Sequence, residues 1–528
     1  MPVRLLLSGA AGFLLAGCVV QPHPLTEAEL SAEAAADRQA MFAGQEPLTH
    51  PLTLPEAYAR ALKYNLDRRV KLVERAVAYD GLTVGNYALL PKLTADAGYL
   101  TRTSTDASSS QSIATGAESL VPSTALDKNR VVADLTFSWN MLDFGVSYFG
   151  ARQQANRALI AEEHRRKVAQ NLLQDVRGAF WRAASAQALG AKVNAAIHDA
   201  DEALERSRLV EREGLRAPLD ALRYQRTLLD LLHQLELLSQ KLQLAKGELA
   251  ALINVAPGQD FQVRIPPAAA MTYVPLAQPL ATLEELAMLR NPELRELSYQ
   301  ARISVDETRQ SMLKLLPGIN LSYAGNFDSN SFLVHHWWAE GAERVSWNLL
   351  DLLSAPAILR LGRDSEKLAD LRRQALAMAV LAKLHIAYQQ YVFTGNEYKR
   401  ARDLSRVDHR IYAQVANRTA ADAQSVLERV AAEVYAANSE LRQYETYADL
   451  QAALGRIYAT IGFDPEPAHI ELFDVATLSS AVDYIMSSWK LAATAPARPA
   501  ADPDGDGSDL PGLEGLRRSL YVIPRDGR

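Results

Sequence analysis

Two long stretches of the chain repeat apolar residues in alternating steps of three and four, the spacing of one face of a coiled-coil helix. The clearer stretch is built from leucine and alanine: Leu228, Leu231, Leu235, Leu238, Leu242, Ala245, Leu249 and Leu252. The other follows the same spacing less regularly: Val430, Val434, Ala437, Leu441, Tyr444 and Ala448. Residues 144–213 contain no proline, so they predict a helix roughly 100 Å long at 1.5 Å per residue. The pattern therefore predicts helical hairpins far longer than a globular core needs.

Four shorter segments alternate apolar and polar residues with a period of two, which predicts β-strands. They span residues 93–99, 131–141, 319–327 and 337–349, and the fourth is the least regular because Glu343 falls on its apolar face. Strands of about ten residues with one apolar face are typical of outer-membrane barrels, although a half-buried soluble sheet would alternate in the same way. Four strands cannot close a barrel, so transmembrane strands would require further copies of the chain.

Short motifs recur in the two halves of the chain, which predicts an internal duplication. Two pairs carry the match: Leu89-Leu90-Pro91 with Leu315-Leu316-Pro317, and Trp139-Asn140-Met141-Leu142-Asp143 with Trp347-Asn348-Leu349-Leu350-Asp351. The first half is longer between its two motifs, where residues 103–128 are rich in Ser, Thr and Ala and predict a loop.

The N-terminal segment has the pattern of a secretory signal. Arg4 precedes an apolar run at 5–15, which is too short to span a membrane. Small residues then lead into Cys18, as in a bacterial lipobox, where the chain is cut before the cysteine and the thiol is lipidated. An ordinary signal with an incidental cysteine is the alternative. Cys18 is the only cysteine, so no intrachain disulfide can form.

Composition limits the classes of function. The chain has 528 residues and a net charge of −6, so it lacks the basic excess expected for nucleic-acid binding. No phosphate-binding glycine loop, zinc helix motif or nucleophile motif is present, so neither an enzyme nor a cofactor is expected. The adjacent His335 and His336 lack further ligands at metal spacing. The acidic run at 502–507 resembles the start of a calcium loop but lacks its twelfth-position glutamate.

Taken together, the lipobox, the two strand pairs, the long helical pairs and the internal repeat resemble the TolC family of outer-membrane factors over residues 52–465. The resemblance implies an α+β fold in which three chains contribute four strands each to a twelve-stranded transmembrane barrel. The barrel would continue into a helical coiled-coil tunnel in the periplasm. The implied partners are two further copies of the chain, outer-membrane lipid, a periplasmic adaptor (membrane fusion) protein and an inner-membrane transporter.

The resemblance and the pattern divide the chain into consecutive segments. These are a signal peptide (1–17), a lipidated extension (18–51), a helix (52–91), a β-hairpin (92–142), a long helical hairpin (143–270), a second helix (280–317), a second β-hairpin (318–350), a second helical hairpin (351–465), a C-terminal segment (466–492) and a disordered tail (493–528).

By resemblance, the helical hairpins turn at 214–218 and 416–421, at a periplasmic tip that meets the adaptor. The expected contact residues are Gly214, Leu215, Arg216, Asn417, Arg418 and Thr419. Asp422 matches the first of two aspartates that ring the family's periplasmic aperture, and Ser425 stands in place of the second. Asp220 is the counterpart of Asp422 in the first half. Both aspartates could instead cap helices.

The function implied is a passive conduit in a tripartite efflux pump for drugs or metals, with the energy supplied by the inner-membrane partner. Two alternatives stay open. One is the outer-membrane channel of a type I protein-secretion system, whose cargo the pump would select. The other is a coiled-coil lipoprotein that serves as a periplasmic spacer without a pore, for which alternating strands would have no use.

Overall fold

The computed structural model describes residues 22–119, 121–213, 217–266, 271–421, 426–464, 466–467 and 470–492. The fold is α+β, with long helices and one main sheet. Its elements are α1 (Glu27–Met41), α2 (Leu54–Tyr64), α3 (Leu66–Tyr87), β1 (Lys92–Thr101), β2 (Asp106–Ser108), β3 (Ser123–Leu126), β4 (Asn129–Asn140), α4 (Met141–Arg212), α5 (Pro218–Leu252), α6 (Leu280–Arg290), α7 (Pro292–Leu313), β5 (Gly318–Asp328), β6 (Trp337–Ser346), α8 (Ala355–Ala421), α9 (Val426–Thr460) and α10 (Val475–Ala492). Short 3-10 helices span Leu349–Ser354 and Ile470–Leu472.

The four long strands form one antiparallel sheet in the order β1-β4-β5-β6. In this register, most residues paired on neighbouring strands have the same polarity. Phe137 of β4, for example, lies between Leu93 of β1 and Tyr323 of β5. The segment predicted as a loop at 103–128 differs from that expectation, because β2 and β3 pair within it. Its Thr and Ser residues hydrogen-bond locally, and such side chains suit a short exposed hairpin as well as a loop.

The helices form a layered wall in which α4 is central. It packs against α3 and α7 along its first half and against α5 and α9 along its second half, and α8 packs against both α7 and α9. With 72 residues, α4 is about 108 Å long. One side of the wall therefore ends in α3 and α5, and the other side ends in α8.

Each of the two helices predicted at 52–91 and 280–317 is in fact a pair of helices interrupted at an asparagine. Asn65 separates α2 from α3, and Asn291 separates α6 from α7, both with φ near −60° and ψ near 125°. Each side-chain oxygen caps the helix that follows. Each side-chain amide donates to a distant carbonyl, Leu252 for Asn65 and Thr460 for Asn291. The interruption is favoured because these tertiary bonds replace helical ones.

Two hydrophobic cores lie along the wall. The larger joins α2, α6 and α10 to the middle of α4 and α8 and to the C-terminal half of α9, with Phe180, Leu384 and Tyr398 among its fully buried members. The second is the predicted coiled-coil seam. It packs leucines of α5 against small and branched residues of α4, such as Val193 and Ala200, and takes in Val430 and Val434 of α9. Small residues on α4 let the neighbouring helices approach closely.

The boundaries of the helical hairpins differ from the sequence prediction at two places. The second helix of the first hairpin ends at Leu252, the last residue of the predicted seam, although the segment assigned to that hairpin runs to 270; Asn254 just after the helix takes a positive φ of 58°. In the second hairpin α8 continues through Ala421, so the segment 416–421 is helical and the predicted turn comes too early. This segment contains only residues that a helix accepts, three of them alanine.

Candidate functional site

One face of the sheet is apolar and open to its surroundings. It carries large side chains from all four long strands, and each of those that follow has at least 38% of its surface exposed: Leu93, Tyr99, Val131, Leu135, Phe137, Ile319, Tyr323, Trp337 and Val345. The opposite face is polar, with Thr94 opposite Thr136 and Asn140 opposite Asn320. An apolar patch of this extent on a protein surface marks contact with lipid or with another protein.

The two edge strands, β1 and β6, each pair on one side only within the part of the chain that the structure describes. The sheet has an even number of antiparallel strands, so β1 and β6 run in opposite directions. The free edge of one copy can therefore pair with the opposite free edge of another copy and keep the antiparallel pattern.

The helical edges below the sheet are also apolar. On α8, exposed large side chains follow one another at 3, 4, 7, 8 or 11 residues and form a stripe: Leu361, Leu368, Leu371, Met378, Ile386, Phe393, Leu404, Val407 and Ile411. The opposite side of the wall carries two shorter stripes. On α3 the stripe is Val70, Val73, Val77 and Val84, and on α5 it is Leu222, Leu229, Leu237 and Leu244. Stripes of this spacing are seams for neighbouring helices.

The predicted tip residues lie at the far end of the helices from the sheet. Asp220 is exposed in the first turn of α5, where Pro218 is the first residue and the capping position is Ala217. Asp220 therefore does not cap the helix. From the first turn, its negative charge interacts favourably with the positive end of the helix dipole. Asn417 and Arg418 are exposed in the last turn of α8, and Thr419 follows them in the same turn.

Several predicted residues fall outside the part of the chain that the structure describes. These are Cys18 of the lipobox, Gly214, Leu215 and Arg216 of the first turn, and Asp422 and Ser425 of the aperture. The acidic run at 502–507 and the whole segment 493–528 also lie outside it. The roles assigned to them stay predictions.

An ion-pair network that was not predicted from the sequence ties α3 and α4 to the segment after α9. Glu466 is buried and pairs with Arg68 of α3 and Arg165 of α4. Next to it, Arg166 bonds Asp464 at 2.9 Å and Glu163 at 2.6 Å. Burial raises the pKa of Glu163, and the charge of Arg166 only partly offsets this. Apart from the local Arg166–Glu163 pair, the partners are about 300 or more residues apart in the chain, so no local pattern reveals them.

A second buried polar group was also missed. Arg177 of α4 donates to the Tyr58 hydroxyl at 2.6 Å and lies near the ring of Tyr458. Nearby, Tyr447 packs between Trp181 and Tyr398, and burial raises the pKa of its hydroxyl to about 12. These aromatic contacts fix α2 and α9 on α4. Their chemistry is structural, since the phenols stay protonated at neutral pH.

Potential metal ligands do not cluster in the described ranges: no group of three or more His, Cys, Asp or Glu side chains there could hold a metal ion. His335 and His336 lie exposed in the connection between β5 and β6, and Nδ1 of His336 is 2.9 Å from the Asp328 carbonyl oxygen. Among the helices so described, none is long and apolar enough to cross a membrane.

Comparison with known proteins identifies the fold. No protein-family model and no curated protein sequence matches the chain. Solved structures do match. The Campylobacter jejuni CmeC outer membrane channel has a TM-score of 0.61 and 13% identity, covering 88% of this chain and 98% of that one. The outer-membrane channel OprN has a TM-score of 0.57 and 18% identity, covering 78% and 89%. The open-state MtrE outer membrane channel of Neisseria gonorrhoeae has a TM-score of 0.55 and 16% identity, covering 76% and 88%.

These matches extend over most of both chains. The resemblance to TolC-like outer-membrane factors, expected from the sequence motifs, is thereby confirmed at the level of the fold. The chain has the fold of an outer-membrane channel protein.

Proposed function

We propose that this protein is the outer-membrane channel subunit of a tripartite efflux pump, a passive conduit built from three copies of the chain. One observation carries the proposal: within the described ranges the chain has two different sides that pair with no other element, and each side continues from a strand edge into an apolar helical stripe. On one side β1 continues into α3 and α5, and on the other β6 continues into α8.

Two different sides that bind each other produce a ring, because each added copy offers the same free side again until the ring closes. A ring is also what the strands need, since an open sheet edge in lipid leaves backbone groups without partners. Three copies give twelve strands, as the resemblance to the TolC family implies. The apolar face of the sheet would then contact outer-membrane lipid, and its polar face would line the pore.

The helices extend the same ring away from the membrane. Each chain contributes the wall of α3, α4, α7 and α8 near the sheet and of α5, α4, α9 and α8 farther away. A wall about 100 Å long suits a tunnel across the periplasm. The matching pair of helix breaks at Asn65 and Asn291 supports the view that the chain is two structural repeats, so that three chains give a pseudo-sixfold wall.

The remaining roles follow from this arrangement. Cys18 would carry the lipid anchor. The tips at Gly214, Leu215, Arg216, Asn417, Arg418 and Thr419 would meet the periplasmic adaptor protein. Asp422 would narrow the aperture where three carboxylates face each other, with Ser425 and Asp220 beside it. The chain lacks a nucleotide-binding motif, so an inner-membrane transporter would supply the energy.

The test is single-channel conductance of the purified full-length protein in planar bilayers, with the wild type beside Asp422→Ala. We expect discrete cation-preferring openings whose conductance rises in the variant, because removing three carboxylates widens the aperture. If the variant shows openings of unchanged conductance, the channel assignment stands and the aperture role of Asp422 is rejected. A monomer in detergent without any openings would overturn the proposal in favour of the spacer lipoprotein.

The choice between small-molecule efflux and type I protein secretion needs a cellular readout. Deleting the gene should raise drug or metal sensitivity if the protein serves an efflux pump. Retention of a secreted protein inside the deletion strain, with unchanged drug and metal sensitivity, would instead assign the channel to protein secretion.

A further inference from the structure

An open cavity of about 460 Å³ lies where four helices of the wall meet. It sits over the junction between the end of α9 and the start of α7 and is flanked by α4 and α8. Polar side chains dominate its lining: Lys167, Gln170, Gln174, Glu293, Lys383 and Arg456. A cavity of this volume is within the range that holds small ligands.

The charges in this cavity do not balance. Lys167, Lys383 and Arg456 supply three positive groups, and Glu293 supplies the only carboxylate in the lining. Lys167 Nζ lies 2.6 Å from Glu293 Oε1, and Lys383 Nζ lies 3.5 Å from Oε2. Burial by itself would raise the pKa of Glu293, but the two ammonium groups outweigh it and hold the pKa below its ordinary value. One carboxylate thus bridges two lysines, and a cationic excess is left over among the lining residues, while Asp449 outside the lining interacts with Arg456.

Two side-chain nitrogen atoms in the lining have no hydrogen-bond partner among the residues that the structure describes. Gln170 is only 5% exposed, and its side-chain nitrogen Nε2 is buried without an acceptor. Nε of Arg456 is likewise buried without an acceptor. Leaving a buried donor without a partner costs free energy, and such groups are uncommon in folded proteins. Both donors line the cavity that already carries excess positive charge, so an acceptor that bears negative charge would satisfy the donors and the charge together.

The cavity lies beside the larger core. On α4, Leu173, Val176 and Phe180 point into that core. At 100° per residue, the side chains of Lys167 and Gln174 lie about 120–140° around the helix from that of Phe180. The cavity therefore borders the core, and Ala387, one of the buried core residues, is part of its lining.

We propose that this cavity is a binding site for a small molecule that bears a carboxylate or phosphate group. The oxyanion accepts hydrogen bonds from Gln170 and Arg456 and lies between the ammonium groups of Lys167 and Lys383. Glu293 acts as the internal counterion that competes for the two lysines when the site is empty. The inference goes beyond the proposed channel function, because binding here requires no pore.

The test is isothermal titration calorimetry on the full-length protein in detergent and a low-salt, phosphate-free buffer. Inorganic phosphate and succinate are titrated separately, which distinguishes the two kinds of oxyanion. We expect saturable binding of at least one of them with one site per chain. Gln170→Leu removes a donor at nearly constant volume and should weaken binding about tenfold.

Glu293→Gln gives the opposite expectation. It removes the competing carboxylate and frees both lysines, so binding should become several times tighter. A purely structural role for Glu293 would not produce a gain in affinity. The matched control is Lys241→Met, which breaks an exposed ion pair with Glu445 outside the cavity and should leave binding unchanged.

Circular dichroism and gel filtration establish that each variant is folded and assembled like the wild type. Three results would overturn the proposal: no saturable binding of either anion to the wild type, equal binding by Gln170→Leu, or weaker binding by a folded Glu293→Gln. None of them bears on conductance, so a failure here is distinguishable from a failure of the channel proposal.

Discussion

The side-chain amide of Asn291 donates to the carbonyl of Thr460 at 2.9 Å and so joins the start of α7 to the end of α9. The same side chain accepts from the backbone N–H groups of Glu293 and Leu294 through its oxygen. Asn65 makes the corresponding contacts with Arg68 and Leu252 at the junction of α3 and α5. These bonds hold α7 end to end with α9 and α3 end to end with α5. Each pair of shorter helices therefore occupies one position in the wall.

Replacing Asn291 by alanine should destabilise this junction. The variant loses a helix cap and leaves the Thr460 carbonyl without its donor, which together cost about 1–3 kcal/mol. The measurement is thermal unfolding by circular dichroism in detergent at a fixed protein concentration. Asn194→Ala is the matched control, because Asn194 is exposed within α4 and has no cap to lose. Equal melting temperatures for the two variants would contradict the role given to Asn291.

Gly462 should tolerate no side chain. Its φ is 72°, and a Cβ placed there would stand 2.2 Å from the carbonyl oxygen of Arg290, at the same junction. Gly462→Ala therefore combines backbone strain with a clash against main-chain atoms that cannot rotate away. We expect a loss of about 3 kcal/mol or more in stability, seen as low yield of assembled protein and a lowered melting temperature.

Gly258 provides the control for Gly462. It also has a positive φ, 86°, but nothing lies within 4 Å of a Cβ at that position. Gly258→Ala thus carries the backbone strain alone, about 1–2 kcal/mol. If both variants behaved alike, the close approach of residue 462 to Arg290 would not matter for folding.

The parts of the fold that the sequence could predict are those set by local periodicity. The leucine seam from Leu228 to Leu249 is buried as a seam, and the alternating segments around Leu93, Phe137 and Tyr323 are strands with these side chains on one face. Both patterns are visible without tertiary information, because burying one face needs only the right spacing along the chain. Their order along the chain was enough to indicate the fold.

The parts that escaped prediction depend on distant partners. Asn65 and Asn291 break helices because carbonyls almost 170 or more residues away accept from their side chains. Glu466 pairs with Arg68 and Arg165 only after α9 has returned to its junction with α7. The prediction of a turn at 416–421 was wrong for a local reason, because Ala420 and Ala421 continue a helix readily.

Charge on the α8 stripe should prevent assembly. Leu368 lies near the middle line of the stripe and is 47% exposed in the single chain. If α8 meets the α3 and α5 side of another copy, Leu368→Glu buries a carboxylate without a partner, which costs several kcal/mol per interface. Light scattering after gel filtration should show a shift from trimer to monomer.

The control for this variant is Asn194→Asp, which adds the same charge at an exposed position of α4, in the middle of the wall and away from the stripes on both sides. It should assemble like the wild type. A Leu368→Glu protein that remained fully trimeric would show that the stripe faces solvent or lipid and not a second copy of the chain.

Glu433 should make stability depend on pH in the opposite sense to an ordinary surface carboxylate. It lies on α9, partly buried, close to Asp199 of α4, and Arg429 bonds Asp199 at 3.0 Å while staying 3.8 Å from Glu433. Burial, and then the charge of Asp199, raise the pKa of Glu433, and Arg429 only partly compensates. Its ionised form is therefore disfavoured in the folded protein relative to the unfolded chain.

Because the folded-state pKa lies above the unfolded one, the cost of the charge is fully present above the folded pKa and is relieved as pH falls through it. Glu433→Gln removes that cost, so the variant should be more stable than the wild type at pH 8, and the difference should shrink as pH falls toward 4.5. Denaturant unfolding across this range measures it. Glu236→Gln, at an exposed position of α5, should give a difference near zero throughout. A Glu433→Gln protein that is less stable than the wild type at pH 8 would mean that Arg429 holds the carboxylate as a stabilising ion pair after all.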